Sequence, residues 1–152
     1  DYDIIDKLYD ASRAGVKIQL LIRGICSLIP GVKGMSENIE AISIVDNYLE
    51  HSRVYIFGNE ENPEVFISSA DFMTRNLDAR VEVTCPIYDE DIKNELINTF
   101  NIGWKGNVKA RVISEKLDNK YRIRGNSPVF RAQFETYNYY SNQIEVIEEE
   151  GV

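Results

Sequence analysis

Residues 1–23 read DYDIIDKLYDASRAGVKIQLLIR, and this opening stretch decides the fold class. Ile4, Leu8 and Ala11 recur at helical spacing. Asp1 or Asp3 can cap the start by accepting from free backbone amides, and Gly15 supplies the stop. Val16–Arg23 then turns almost continuously apolar, which predicts a strand central in a sheet. A helix running through a short turn into such a strand is half of a βαβ unit. The pattern predicts an α/β domain with a mixed sheet flanked by helices, whose first strand would precede Asp1. With no initiator Met, the chain reads as a piece of a larger protein.

Working outward, Gly24–Ser36 (GICSLIPGVKGMS) is a Gly/Pro-punctuated loop at the C-terminal end of that strand, where ligands sit in open α/β sheets. Its glycines match neither a P-loop nor a dinucleotide fingerprint. Asn38–Val45 alternates as a strand, and Asp46–Glu50 reads as a helical turn. Arg53–Phe57 and Val65–Ser69 predict a hairpin joined across Gly58-Asn59-Glu60-Glu61-Asn62-Pro63. Ala79–Cys85 reads as a further strand, with Val81 and Val83 on one face and Arg80 and Glu82 on the other. Asp89 caps a helix whose Ile92, Leu96 and Phe100 share a face, ending near Gly103. Val108–Ile113 is a short strand. Ser127-Pro128 opens a last helix with Phe130, Phe134 and Tyr137 as its buried stripe. No repeat, linker or low-complexity segment interrupts the chain, so residues 1–152 are read as a single domain.

A chain of 152 residues with 43% hydrophobic content fits one globular domain, of a size that buries about 68–70% of its unfolded surface. The longest apolar run is far short of the ~18–20 residues a spanning helix needs, and no signal peptide opens the chain. A net charge of −8 argues against a nucleic-acid partner. From Trp104 to Arg131, however, eight basic residues face two acidic ones, a local surplus of six. Glu148-Glu149-Glu150 reads as a solvated tail. Cys26 and Cys85 make neither a disulfide framework nor, with one histidine, a zinc signature. Reduced thiols point to the cytoplasm, with peripheral association with a membrane as a further expectation.

The chemistry concentrates between His51 and Glu82, in HSRVYIFGNEENPEVFISSADFMTRNLDARVE. His51 is the only histidine, and period-2 spacing puts Arg53 on its face. Imidazole gives or takes a proton near neutrality and can carry a phosphoryl group. The small-residue turn Ser68-Ser69-Ala70-Asp71 offers hydroxyls and amides suited to a tetrahedral anion. Arg75 and Arg80 follow, and Glu82 is placed to orient His51. Arg23, ending an apolar strand, would be costly to bury alone and should meet a carboxylate or a phosphate. A structural ion pair for Arg23 and an ordinary solvated surface for the basic window stand as the plain alternatives. Lys109, Arg111, Arg122, Arg124 and Arg131 could otherwise form a rail for a polyanion.

His51-Ser52-Arg53 followed by ISSADFMTRNLDARVEV resembles a phospholipase D-type half-site. Arg53 stands where that superfamily has lysine and Asp71 where it has asparagine, two departures that weigh against phosphodiester cleavage. A longer resemblance covers nearly the whole chain. ASRAGVKIQLLIRGICSLIPGVKG, SENIEAISIVDNYLEHSRVYIFGN, ISSADFMTRNLDARVEVTCPI and YRIRGNSPVFRAQ resemble the C-terminal, second phospholipase D-like domain of the histidine-phosphorylated bacterial polyphosphate kinase family. That resemblance implies reversible, Mg2+-dependent transfer of the ATP γ-phosphate onto polyphosphate, with ATP, ADP and polyphosphate as partners. It implies that the phosphorylated histidine lies on a preceding domain, and that Arg23, His51 and Arg80 contact phosphates. Arg53, Ser68, Ser69, Arg75 and Glu82 would support them. It further implies contact with the remaining domains of the parent chain, a homo-oligomer and no dedicated metal ligands here. The alternatives are a phospholipase D-class phosphodiesterase or phosphatidyltransferase working through His51, or a non-catalytic polyanion-binding module.

Overall fold

A computed structural model describes residues 1–58 and 62–150, with side chains described as far as residue 144. The middle of the 58–63 connection and the side chains of Glu148-Glu149-Glu150 therefore lie outside the described residues.

Asp1 caps the first helix, α1 (Tyr2–Arg13), its carboxylate accepting from the amides of Asp3 and Ile4 at 3.1 and 3.3 Å. Gly15, at φ +88°, takes the left-handed conformation that turns the chain into strand β1 (Ile18–Leu21). Strand β2 (Ile39–Ile44) pairs with β1 in parallel and with β6 (Ala110–Ile113) in antiparallel, giving a three-stranded sheet in the order β1-β2-β6. The apolar β1 is thus an edge strand here rather than a central one. Ser12, fully buried, ties α1 to this sheet. Its hydroxyl accepts from the Asn38 amide at 3.2 Å and its carbonyl from Asn38 Nδ2 at 2.8 Å.

A second sheet holds β3 (Val54–Phe57), β4 (Glu64–Ser68) and β5 (Thr84–Ile87) in antiparallel order. The expected strand at Ala79–Cys85 is corrected. Thr74–Ala79 is a short helix, α2; Arg80 is extended, and the ladder begins only at Thr84. The alternation that suggested a strand carries no burial, since Val81 is fully exposed. The helical turn expected at residues 46–50 is an irregular loop.

Helix α3 (Glu90–Lys105), capped by Asp89, packs on β3 and β5 and reaches the first sheet at its other end. There Gly103 lies against Leu21, and a β-carbon on it would sit 2.7 Å from Leu21 Cδ2. The helix runs past Gly103 to Lys105. The last helix, α4 (Ala132–Glu150), starts later than Ser127-Pro128 suggests. Asn107 holds the intervening segment extended, exchanging backbone and side-chain bonds with Phe130 and Pro128 at 2.8–3.0 Å. The expected buried stripe is also revised: Phe134 and Tyr137 are exposed, while Ala132 and Gln133 are buried. The core comprises Leu28, Ile39, Ala41, Ile42, Val65, Ala70, Ala110 and Ala132.

Candidate anion-binding site

The two sheets are joined by the loop after β2, which carries His51 to the start of β3. An extended chain sets His51 and Arg53 on one side, and the structure bonds them: Arg53 Nη2 lies 2.7 Å from His51 Nε2. A guanidinium only donates, so the imidazole accepts at Nε2 and keeps its own proton on Nδ1. Arg53 also donates from Nε to Asp71 Oδ1 at 2.8 Å. That bond holds the Asp71 carboxyl below the usual carboxylate range and pushes the Arg53 guanidinium up. The two residues that depart from the phospholipase D pattern are therefore bonded to each other.

Tyr55 anchors the turn that presents Asp71. Its hydroxyl donates to the Ala70 carbonyl at 2.8 Å, and its ring stacks on Phe72 with centroids 4.6 Å apart. The hydroxyls and amides of Ser68 and Ser69 already have partners within the fold. Ser68 Oγ lies 2.8 Å from Thr84 Oγ1 and accepts from the Ala70 amide, while the Ser69 amide donates to the Val83 carbonyl. Ser69 Oγ accepts from the Val83 amide at 3.0 Å and donates to Glu82.

Glu82 does not orient His51, as the strand pattern suggested; it is held on its own side. Ser69 and Asn76 both donate to it, Asn76 Nδ2 at 2.7 Å, and these bonds draw its carboxyl below the usual range. Asn76 is 2% exposed, and its Oδ1 has no hydrogen-bond partner among the described residues. Its role went unread in the sequence because helix α2 is too short to announce which face of the chain turns inward. Arg80 follows α2 in extended conformation, φ −120° and ψ 153°. The side chains of Arg75 and Arg80 are exposed and make no hydrogen bond or ion pair with the described residues. Their charges still reach the site, Arg75 favouring ionised Asp71 and Arg80 favouring ionised Glu82.

Arg23 arrives from the other sheet. It is exposed rather than buried at a strand end, so the expected desolvation cost does not arise. Its Nη1 donates to the backbone carbonyl of Glu50 at 2.6 Å, which lays the guanidinium beside the residue before His51. Arg23 and residues 44–50 line an open cavity of about 250 Å³.

The basic window is largely engaged with its own fold. Arg111 donates to the Asn119 carbonyl and Tyr121 hydroxyl at 2.7 and 2.8 Å and stacks on that ring. Arg122 donates to the Trp104 carbonyl with its guanidinium over the indole, and Arg124 bonds the Ser127 carbonyl at 3.3 Å. These three keep their positive charge exposed or half-exposed. Arg131 instead meets the Asp46 carboxylate through two bonds of 2.9 and 2.6 Å, and the Asp46 side chain is only 1% exposed. Lys109 adds to the positive field on Asp46. Among the described residues no cluster of His, Cys, Asp or Glu is fit to hold a metal ion, and no helix is long and apolar enough to cross a membrane.

Residues 1–133 match the family described as polyphosphate kinase C-terminal domain 2. The polyphosphate kinase of Vibrio cholerae serotype O1 is 53% identical over 142 residues, covering 93% of this chain and 20% of the relative. That of Escherichia coli K12 is 50% identical over 139 residues, covering 91% and 20%. The crystal structure of polyphosphate kinase from Porphyromonas gingivalis superposes with a TM-score of 0.92 at 43% identity, over 96% of this chain and 22% of that one. The chain thus spans about a fifth of the length of the relatives it matches.

Proposed function

The chain belongs to the polyphosphate kinase C-terminal domain 2 family, and on that premise we propose that it holds phosphates during transfer between ATP and polyphosphate. Phosphoryl transfer asks little covalent chemistry of the protein and much positioned positive charge. The observation that carries the proposal is the 2.6 Å bond from Arg23 to the Glu50 carbonyl, which brings a cation from the end of β1 to the backbone next to His51. Only Nη1 of Arg23 is occupied there, so its remaining N–H groups can take phosphate oxygens. His51 offers Nδ1–H to the transferring group while Arg53 fixes its ring. Arg80, whose charge acts on Glu82, would supply a further phosphate contact.

His51 acts here as a donor rather than as the attacking nitrogen. Its Nε2 lone pair is engaged by Arg53, which supports a phosphate-accepting histidine elsewhere in the longer protein. The described residues offer Mg2+ no ligand set, so the cation belongs to the proposal as the partner that ATP phosphates carry with them. The exposed charges of Arg111, Arg122 and Arg124 are available to guide a polyanion. In the full-length protein, Arg23→Ala and His51→Ala should each lower ATP-dependent polyphosphate synthesis by about two orders of magnitude. Turnover retained in both variants would overturn the assignment.

A further inference from the structure

The loop that delivers His51 and the Glu50 carbonyl lies on the surface, and Tyr48 and Leu49 are exposed. A segment so placed would wander without restraint, yet its carbonyl must hold a guanidinium within 2.6 Å. Two side chains at the start of α4 supply that restraint. Gln133, 7% exposed, accepts the Tyr48 amide at 2.9 Å and donates from Nε2 to the Tyr48 carbonyl at 2.8 Å. It thus grips both polar groups of one loop residue. Arg131 bonds Asp46 twice and Asn47 Oδ1 at 3.1 Å, with its guanidinium 4.3 Å above the Phe134 ring. The contacts to the loop span 84 or 85 positions of sequence, so they fix where the loop sits in space rather than its local shape.

The clamp is itself set by the fold. Asn107, just past α3, pins Phe130 and Pro128. Gly106 lets β2, α3 and α4 converge; a β-carbon there would lie 3.2 Å from both Ala132 Cβ and Ile44 Cδ1. Of the contacts described between residues 131–144 and the 46–50 loop, the hydrogen bonds are those of Arg131 and Gln133.

We infer that Arg131 and Gln133 are positioning residues that fix the 46–50 loop, and through it the register of Arg23 against His51. Arg131 then belongs to the geometry of the ATP phosphates and not to the rail that carries polyphosphate. The inference rests on the proposed phosphate-holding role of Arg23 and His51. Loosening the loop should disturb ATP turnover while polyphosphate binding stays as it was. The effect should also vanish once Arg23, the group being positioned, is gone.

The test is a double-mutant cycle in the full-length protein, combining Gln133→Leu with Arg23→Ala. Gln133→Leu alone should lower kcat/KM for ATP about tenfold and leave the KM for polyphosphate within about twofold. Added to Arg23→Ala, it should cost less than about twofold further. An equal tenfold loss in both backgrounds, or a loss falling on polyphosphate affinity, would overturn the inference. Arg131→Lys, which keeps the charge but not the two-pronged fork, is read the same way if Gln133→Leu fails to fold. Arg23→Ala by itself reports on the phosphate-holding role, so full activity in that variant would strike the proposed function and not the clamp.

Discussion

Arg23 and Glu50 are joined by a 2.6 Å hydrogen bond from guanidinium Nη1 to a backbone carbonyl, and this contact ties the end of β1 to the β2–β3 connection just before His51. The arrangement needs a side chain that can hold the carbonyl and still turn donors outward. A guanidinium does both; an ammonium presents one compact charge. Arg23→Lys in the full-length protein should therefore lower kcat/KM for ATP roughly 10- to 100-fold, despite the retained charge. Steady-state kinetics at fixed ionic strength would show it. A change under about twofold would mean that charge alone suffices.

The Arg53–Asp71 pair carries a second expectation. Asp71→Asn removes the carboxylate that fixes the guanidinium, and with it the group that orients the His51 ring. Activity should fall by about an order of magnitude. In the wild-type protein, nitrogen-15 spectra should show the ring nitrogen contacted by Arg53 as the unprotonated acceptor, with the proton on Nδ1. An Nε2-protonated ring would contradict the arrangement.

Acid response follows from the same carboxylates. Asp46, Asp71 and Glu82 are each held below the usual range, chiefly by hydrogen bonds from Arg131, Arg53 and Ser69 respectively. A depressed folded value means the stabilisation is present above the unfolded value, about 3.9 for Asp and 4.3 for Glu, and is lost as pH falls through the folded one. These groups should leave the melting temperature flat from about pH 5 to 7 and lower it below about pH 4. Asp46→Asn should melt lower than wild type at pH 6, and the gap should narrow as pH falls below the unfolded value of about 3.9. A gap that stays constant would show that the carboxylate charge is not what stabilises.

Much of the fold was legible in the sequence, and the gaps have physical causes. Asp1, Gly15 and Asp89 mark helix ends through local chemistry, and α1 and α3 follow them. The hairpin of β3 and β4 was legible from alternation flanked by polar residues. Ala79–Cys85 misled because alternation cannot tell a buried face from an exposed one, and Val81 is bare. Ser127-Pro128 resembles a helix start, but Asn107 captures the following backbone, a contact local rules cannot foresee. At the site, the residue types drew attention to His51, Arg53 and Glu82, whereas their partners depend on tertiary placement. Asp71 rather than Glu82 completes the histidine's support, and nothing local pairs Asp46 with Arg131 or Tyr48 with Gln133.

Gly106 offers a test of packing. Besides its close neighbours on β2 and α4, a β-carbon there would lie 3.0 Å from the Gly103 carbonyl, a backbone atom with little freedom to yield. Gly106→Ala should destabilise the domain by about 1–3 kcal/mol, a fall of roughly 2–12 °C at about 2–4 °C per kcal/mol. An unchanged or raised melting temperature would show that the convergence is looser than described.

The central claim is that residues of this domain hold the phosphate while another histidine accepts it. Mapping the acid-labile phosphate in the full-length protein, incubated with γ-labelled ATP and digested under alkaline conditions, tests it most directly. The label is expected on a histidine outside residues 1–152, and its appearance should slow by about two orders of magnitude in Arg23→Ala. Label recovered on the peptide bearing His51 would contradict the account.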